Sequence, residues 1–243
     1  PRYGITIVLA LVNRLLIGIT RFNTPLNIIG TLAMISYVLA AIATLFVTFV
    51  LIILRFYRNL MTDEGYLMFT LPVKPMHLIN SKLISSLLWI TVSMAVLISS
   101  LLILLLNADS AVQLREMWDI IIRALKTYFS DNYIILIIEF ALMVIISIIQ
   151  QILLIYVSIA AGHLITGHKV LGSFASYIAI SIAVQLISTF IMFAVSRFSS
   201  SSIEELETLP HVVFIFVITL GTAYSILYYI ATNYIFSKKL NLE

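Results

Sequence analysis

The sequence predicts an all-α, polytopic membrane protein with six transmembrane helices, a short cytoplasmic helix between the second and third, and an outer amphipathic helix. Three observations carry that expectation. Of 243 residues, 62% are hydrophobic and 10% charged, with a mean hydropathy of +1.13. A soluble domain is usually about half apolar and about a quarter charged. Second, with histidine taken as neutral, 22–54, 83–106, 140–168, 170–196 and 208–237 carry no charge. Each exceeds the roughly 20 residues that a helix needs to cross a hydrocarbon core of about 30 Å. Third, these stretches are apolar on every face rather than alternating, so their backbone groups are satisfied as helices and not as barrel strands.

The six spans fall near 3–21, 27–54, 76–106, 133–161, 171–196 and 210–236, in a single transmembrane domain covering 1–243. The first is interrupted by Arg14, and Asn23, Thr24 and Pro25 are expected to turn the chain into the second. The chain opens on Pro1 rather than Met, which implies that a short natural start precedes it; no cleavable signal peptide is evident. With six spans both ends share a side. That side collects eight Lys or Arg residues (Arg2, Arg55, Arg58, Lys74, Lys82, Lys169, Lys238, Lys239) against five on the other (Arg21, Arg115, Arg123, Lys126, Arg197). The bias predicts cytoplasmic termini. It also accounts for the net charge of +3 without invoking nucleic acid.

Three connections hold more than a turn. In Arg55 to Lys82, Thr62 is a plausible N-cap, with Asp63 and Glu64 at the positive end of a helix dipole. That helix should stop near Leu71, before Pro72 and Pro75. Tyr66, Leu67, Met68, Phe69 and Leu71 leave it apolar on nearly every side, which suggests a covering partner as readily as packing on the bundle or the bilayer surface. In Ala108 to Asn132, Ser110 and Gln113 read as a capping box. Leu114, Met117, Trp118, Ile121, Ile122, Leu125, Tyr128 and Phe129 fall on one helical face, and Arg115, Glu116, Asp119, Arg123, Lys126 and Ser130 on the other, with Ile120 alone out of place. Such a helix lies at a bilayer interface or caps the bundle. The third connection, Arg197 to Leu209, carries a Ser202–Glu205 capping box and reads as a solvated loop.

Catalytic chemistry is not evident. There is no G-x-x-x-x-G-K-[ST], no H-E-x-x-H and no G-x-S-x-G. The chain has no cysteine, and His77, His163, His168 and His211 are not spaced as a metal set. No catalytic residue, metal site or cofactor is expected in this chain. Within the spans, Arg14 and Glu139 are the ionisable residues set well inside, and each should face the bundle or water. Pairing of the two is one arrangement. Gln150, Gln151 and Gln185 are further candidates for a translocation path, with Gln150–Gln151 near mid-membrane; interhelical hydrogen bonding is the competing role.

The run Arg55-Phe-Tyr-Arg-Asn-Leu-Met-Thr-Asp-Glu-Gly-Tyr-Leu-Met-Phe-Thr-Leu-Pro-Val-Lys-Pro resembles the connection after the second span in ABC-2-type exporter permeases of Gram-positive bacteria. Gly162-His-Leu-Ile-Thr-Gly-His-Lys-Val-Leu-Gly-Ser-Phe is similar to their fourth-to-fifth connection. The six-span pattern extends the likeness over the chain. The resemblance implies a permease in the bacterial cytoplasmic membrane that dimerises and binds two copies of a separate ATPase, which would hold the ATP and Mg. Asp63, Glu64, Tyr66, Leu67, Phe69, Thr70 and Leu71 would then contact the ATPase, with His163, His168 and Lys169 in the second cytoplasmic connection. The substrate expected from such relatives and from the apolar interior is an amphipathic or antimicrobial-type peptide, or a lipid-like molecule. The chain departs from the family in showing no amphipathic N-terminal helix and in an Arg197 to Leu209 connection too short for a large extracellular domain. Two other classes stay open: an ion-coupled carrier, and a membrane scaffold or sensor that transports nothing.

Overall fold

The computed structural model describes residues 7–8, 11, 24–61, 74–105, 108–129, 133–165, 169–198 and 209–238. Among these residues there is no strand, and six helices follow in order. They are α1 (Thr24–Met61), α2 (Pro75–Leu105), α3 (Ala108–Phe129), α4 (Tyr133–Gly162), α5 (Lys169–Phe198) and α6 (Leu209–Lys238). Five of them are long and apolar enough to cross a membrane: Met34–Arg58, Pro75–Ile103, Tyr133–Gly162, Lys169–Val195 and His211–Lys238. The protein is a multi-pass membrane protein, helical throughout its described spans. The span expected at 3–21 lies almost wholly outside the described residues; Ile7, Val8 and Leu11 are helical.

Several boundaries differ from the sequence expectation. The second span was expected at 27–54, with Asn23 to Pro25 as a turn. Instead α1 already begins at Thr24 and continues to Met61. Pro25 is tolerated in a first turn because the N–H it lacks has no intrahelical partner there. Arg55 and Arg58 do not end the helix, because charge marks where a chain leaves lipid and not where hydrogen bonding stops. The capping box expected at Ser110 and Gln113 falls inside α3, which starts two residues earlier. The short helix from Thr62 and the box at Ser202–Glu205 lie outside the described residues.

The chain divides into two compact units, Pro1–Leu54 with Ser86–Arg123, and Arg55–Ser85 with Ala124–Glu243. The first is built on a polar seam between α1 and α2. Tyr37, Thr44, Thr48 and Ile52 are buried on one face of α1, and Ser86, Ser93 and Ser100 on one face of α2. The serines recur every seven residues, the spacing that keeps one edge of a helix against a neighbour. Tyr37 Oη is 2.9 Å from Ser100 Oγ, and Thr48 Oγ1 is 2.9 Å from Ser93 Oγ. The pairs step forward on α1 and backward on α2, so the helices run antiparallel. Thr44 and Thr48 also donate to the carbonyls of Ala40 and Thr44 at 2.8 and 2.7 Å. That local bond satisfies a hydroxyl where lipid cannot.

The second unit is organised around α4, which packs along both α5 and α6. From Ile152 to Ala160 every residue of α4 is buried. A helix that is apolar all round can be enclosed on every side. Within that stretch the hydroxyl of Ser158 donates to Leu154 O at 2.6 Å. The half nearer Tyr133 is different. Of its residues Leu136 alone is buried, and Ile134, Ile135, Ile137, Ile138 and Phe140 are exposed.

Candidate functional site

Two places in the second unit gather side chains that the packing alone does not require. The first is a cleft of about 500 Å³ between α5 and α6, floored by α4. Its wall on α5 runs from Gln185 through Ser188, Thr189 and Met192 to Val195. The facing wall on α6 runs from Val212 and Val213 through Phe216 to Leu220. At mid-helix depth the cleft ends on Gln150 of α4 and on Gly221 and Tyr224 of α6. Ser188 Oγ and Tyr224 Oη share a hydrogen bond of 3.0 Å and tie the two walls together there. A Cβ on Gly221 would stand 3.1 Å from Gln150 Oε1 and 3.0 Å from Ile146 Cγ2, so glycine keeps the floor open to the carboxamide. Beyond the floor begins the fully enclosed stretch Ile152–Ala160. The cleft therefore opens towards the α5–α6 end of the unit and is closed towards the α4–α5 end.

The second place is that closed end. Phe56, 1% exposed, stacks on Tyr156 of α4 at 3.7 Å between ring centroids, and lies 6.1 Å from Phe236 of α6. The next residue, Tyr57, meets the ring of His163 at 5.4 Å and 53°. His163 is the first residue after α4. It donates its backbone N–H to Ile159 O at 3.2 Å, and its Nδ1 lies 3.1 Å from the same oxygen. Leu164 and Ile165 then tighten the turn through bonds to Ala161 O and Gly162 O. This turn admits no side chain at two points. A Cβ on Gly162 would overlap the backbone of Ser173, and one on Gly172 would stand 2.9 Å from Gly162 O. Ser173 Oγ donates to Lys169 O at 2.9 Å and lies 3.5 Å from Ile159 O.

The residues expected to line a path are distributed unevenly. Gln150 and Gln185 both line the cleft. Gln151 does not share the site of Gln150: its Nε2 donates to Tyr177 Oη on α5 at 2.8 Å, which makes it an interhelical tie. Neighbours on a helix differ in direction by about 100°, so a Gln–Gln pair cannot face one cleft. Glu139 is paired, but with His211: Nδ1 and Oε2 are 2.7 Å apart, with the side chains 20% and 15% exposed. Arg14, the partner considered from sequence, lies outside the described residues. So do Asp63, Glu64, Tyr66, Leu67, Phe69, Thr70, Leu71 and His168. Lys169 is the first residue of α5 and is exposed.

Sequence reasoning missed Phe56, Tyr156, Phe236 and Tyr224. Aromatic residues are ordinary in spans, and only their meeting distinguishes these. The glycines at 162 and 172 flank the predicted connection and were a readable sign of close backbone approach.

Set against protein-family models, curated proteins and solved structures, the chain shows no match.

Proposed function

We propose that this chain is the membrane-spanning subunit of an ATP-driven exporter, working as a dimer with two copies of a separate ATPase. The observation that supports this most is the anchoring of Phe56 and Tyr57. These residues lie in the run that leads towards 62–73, and their rings rest on α4, on α6 and on His163 after α4. A push on that run would reach the helices that floor and wall the cleft without needing a flexible joint. This is the coupling through packed elements that an energy-supplying partner requires. Asp63, Glu64, Tyr66, Leu67, Phe69, Thr70 and Leu71 would be the contacts to the ATPase, and His163, His168 and Lys169 the neighbouring contacts. The termini, and this end of the bundle, would face the cytoplasm of a bacterial cell.

The substrate proposed is an amphipathic or antimicrobial-type peptide or a lipid-like molecule. ATP and Mg would belong to the partner. The Glu139–His211 pair supports a second reading, an ion-coupled carrier, because ionisable side chains joined between two spans are a common element of proton relays.

Copurification followed by ATPase measurement in lipid tests the first reading. It requires an ATPase to be retained and its hydrolysis to respond to candidate substrate, and Tyr66→Asp with Leu67→Asp to abolish both. Transport by the chain alone, driven by an ion gradient, would establish the carrier instead.

A further inference from the structure

We propose that the α5–α6 cleft binds an uncharged single-chain amphiphile, with its hydroxyl or amide group held at mid-membrane by Gln185 and Gln150 and its alkyl chain laid along the wall towards Val195 and Val212. The inference stands whether or not an ATPase drives the chain.

Three features define the ligand. The thirteen residues lining the cleft include no Asp, Glu, Lys, Arg or His, so nothing there would compensate a charged group taken out of water. The polar groups sit at one end. Gln185 is exposed to the cleft, and its carboxamide makes no hydrogen bond among the described residues. In a membrane-spanning helix such a group, with two donors and an acceptor, is costly to leave unpaired and favours a ligand that pairs with it. The remaining wall, from Met192 to Val195 and from Val212 to Leu220, presents apolar side chains.

The length and lining of the cleft select among amphiphiles. From Gln185 to Val195 the helix rises about 15 Å. A helical peptide, about 10 Å across, would have to turn its polar face onto those apolar side chains or into lipid. An extended peptide would carry an N–H and a C=O every ~3.3 Å against a wall that offers them no partner. An alkyl chain has neither difficulty.

The test uses the full chain in nanodiscs and a long-chain alcohol carrying a diazirine at its terminal carbon. The expected result is saturable photolabelling of the Val195 and Val212 end. Val213→Trp should reduce it several-fold by filling the cleft. Gln185→Leu should weaken competition by the unlabelled alcohol about tenfold, the effect of one lost hydrogen bond of this class. Competition by an alkane of the same length should be unchanged in that variant. Both replaced side chains are exposed, so the fold should tolerate either change. Four outcomes would each overturn the proposal: labelling that does not saturate, labelling equal at Phe174 and Phe190 on the exposed side of α5, equal competition by alkane and alcohol in the unmodified protein, or displacement by a helical peptide in preference to the alcohol.

Discussion

The ring of Phe56 lies 3.7 Å from that of Tyr156 and within 11° of parallel. The two residues are a hundred positions apart in sequence, and both are essentially sealed from outside the protein, at 1% and 0% exposure. The contact joins the end of α1 to the enclosed stretch of α4.

Phe56→Ala should therefore be among the costliest single changes in the second unit. Removing a fully buried phenyl ring typically costs about 3–5 kcal/mol. A double-mutant cycle with Tyr156→Ala isolates the ring–ring contribution, expected at about 0.5–1.5 kcal/mol. Denaturant unfolding in mixed micelles measures both.

Gly162→Ala should destabilise more than Gly221→Ala. The added methyl group at 162 meets the backbone of Ser173, which cannot step aside, whereas at 221 it meets Ile146 Cγ2 and Gln150 Oε1, the ends of side chains. Overpacking costs about 1–3 kcal/mol where the neighbours can shift and more where they cannot. The yield of monodisperse protein and its melting midpoint should both fall in the order wild type, Gly221→Ala, Gly162→Ala.

In the α1–α2 seam, Ser93→Ala should cost about 0.6 kcal/mol, the average for an interhelical hydrogen bond in a membrane protein. Thr48 loses one partner but keeps its bond to Thr44 O. Ser93→Leu should do more harm, because at a site 1% exposed the larger side chain must displace Thr48, whose hydroxyl lies 2.9 Å from Ser93 Oγ. If the two variants unfold alike, the seam is not packed as described.

For Glu139 and His211, the single change His211→Leu should be worse than the double change Glu139→Leu with His211→Leu. Removing one partner leaves a part-buried carboxylate without its nearest donor, while removing both leaves an apolar contact. Comparison of unfolding midpoints for the three variants and the parent decides it.

Much of the architecture was legible because lipid imposes a length and a composition on every crossing. The expected spans placed α2, α4, α5 and α6 within a few residues of their observed ends, and periodicity placed α3. Apolar runs carry little directional information, however. A span in which nearly every residue is hydrophobic does not say which side meets protein. That is why Gln150 and Gln151 read as a pair, although one lines a cleft and the other ties α4 to α5. It is also why Arg14 was the partner considered for Glu139, and His211 was not. The seven-residue recurrence of Ser86, Ser93 and Ser100 was the exception, a directional signal in plain view. Stacking of Phe56 on Tyr156 required knowledge of where distant segments meet, which no local pattern contains.

One dimension of α1 carries a mechanical consequence. Its 38 residues make a rod about 57 Å long. The hydrocarbon layer is about 30 Å thick, and even a steep lean of about 40° shortens the projection of the rod only to about 44 Å. The surplus must protrude: the apolar span within α1 is Met34–Arg58, so the helix runs beyond it at both ends. Its last two turns are not loose, however: Phe56 and Tyr57 are held against Tyr156, Phe236 and His163. A lateral load on that end of α1 is therefore borne by those rings.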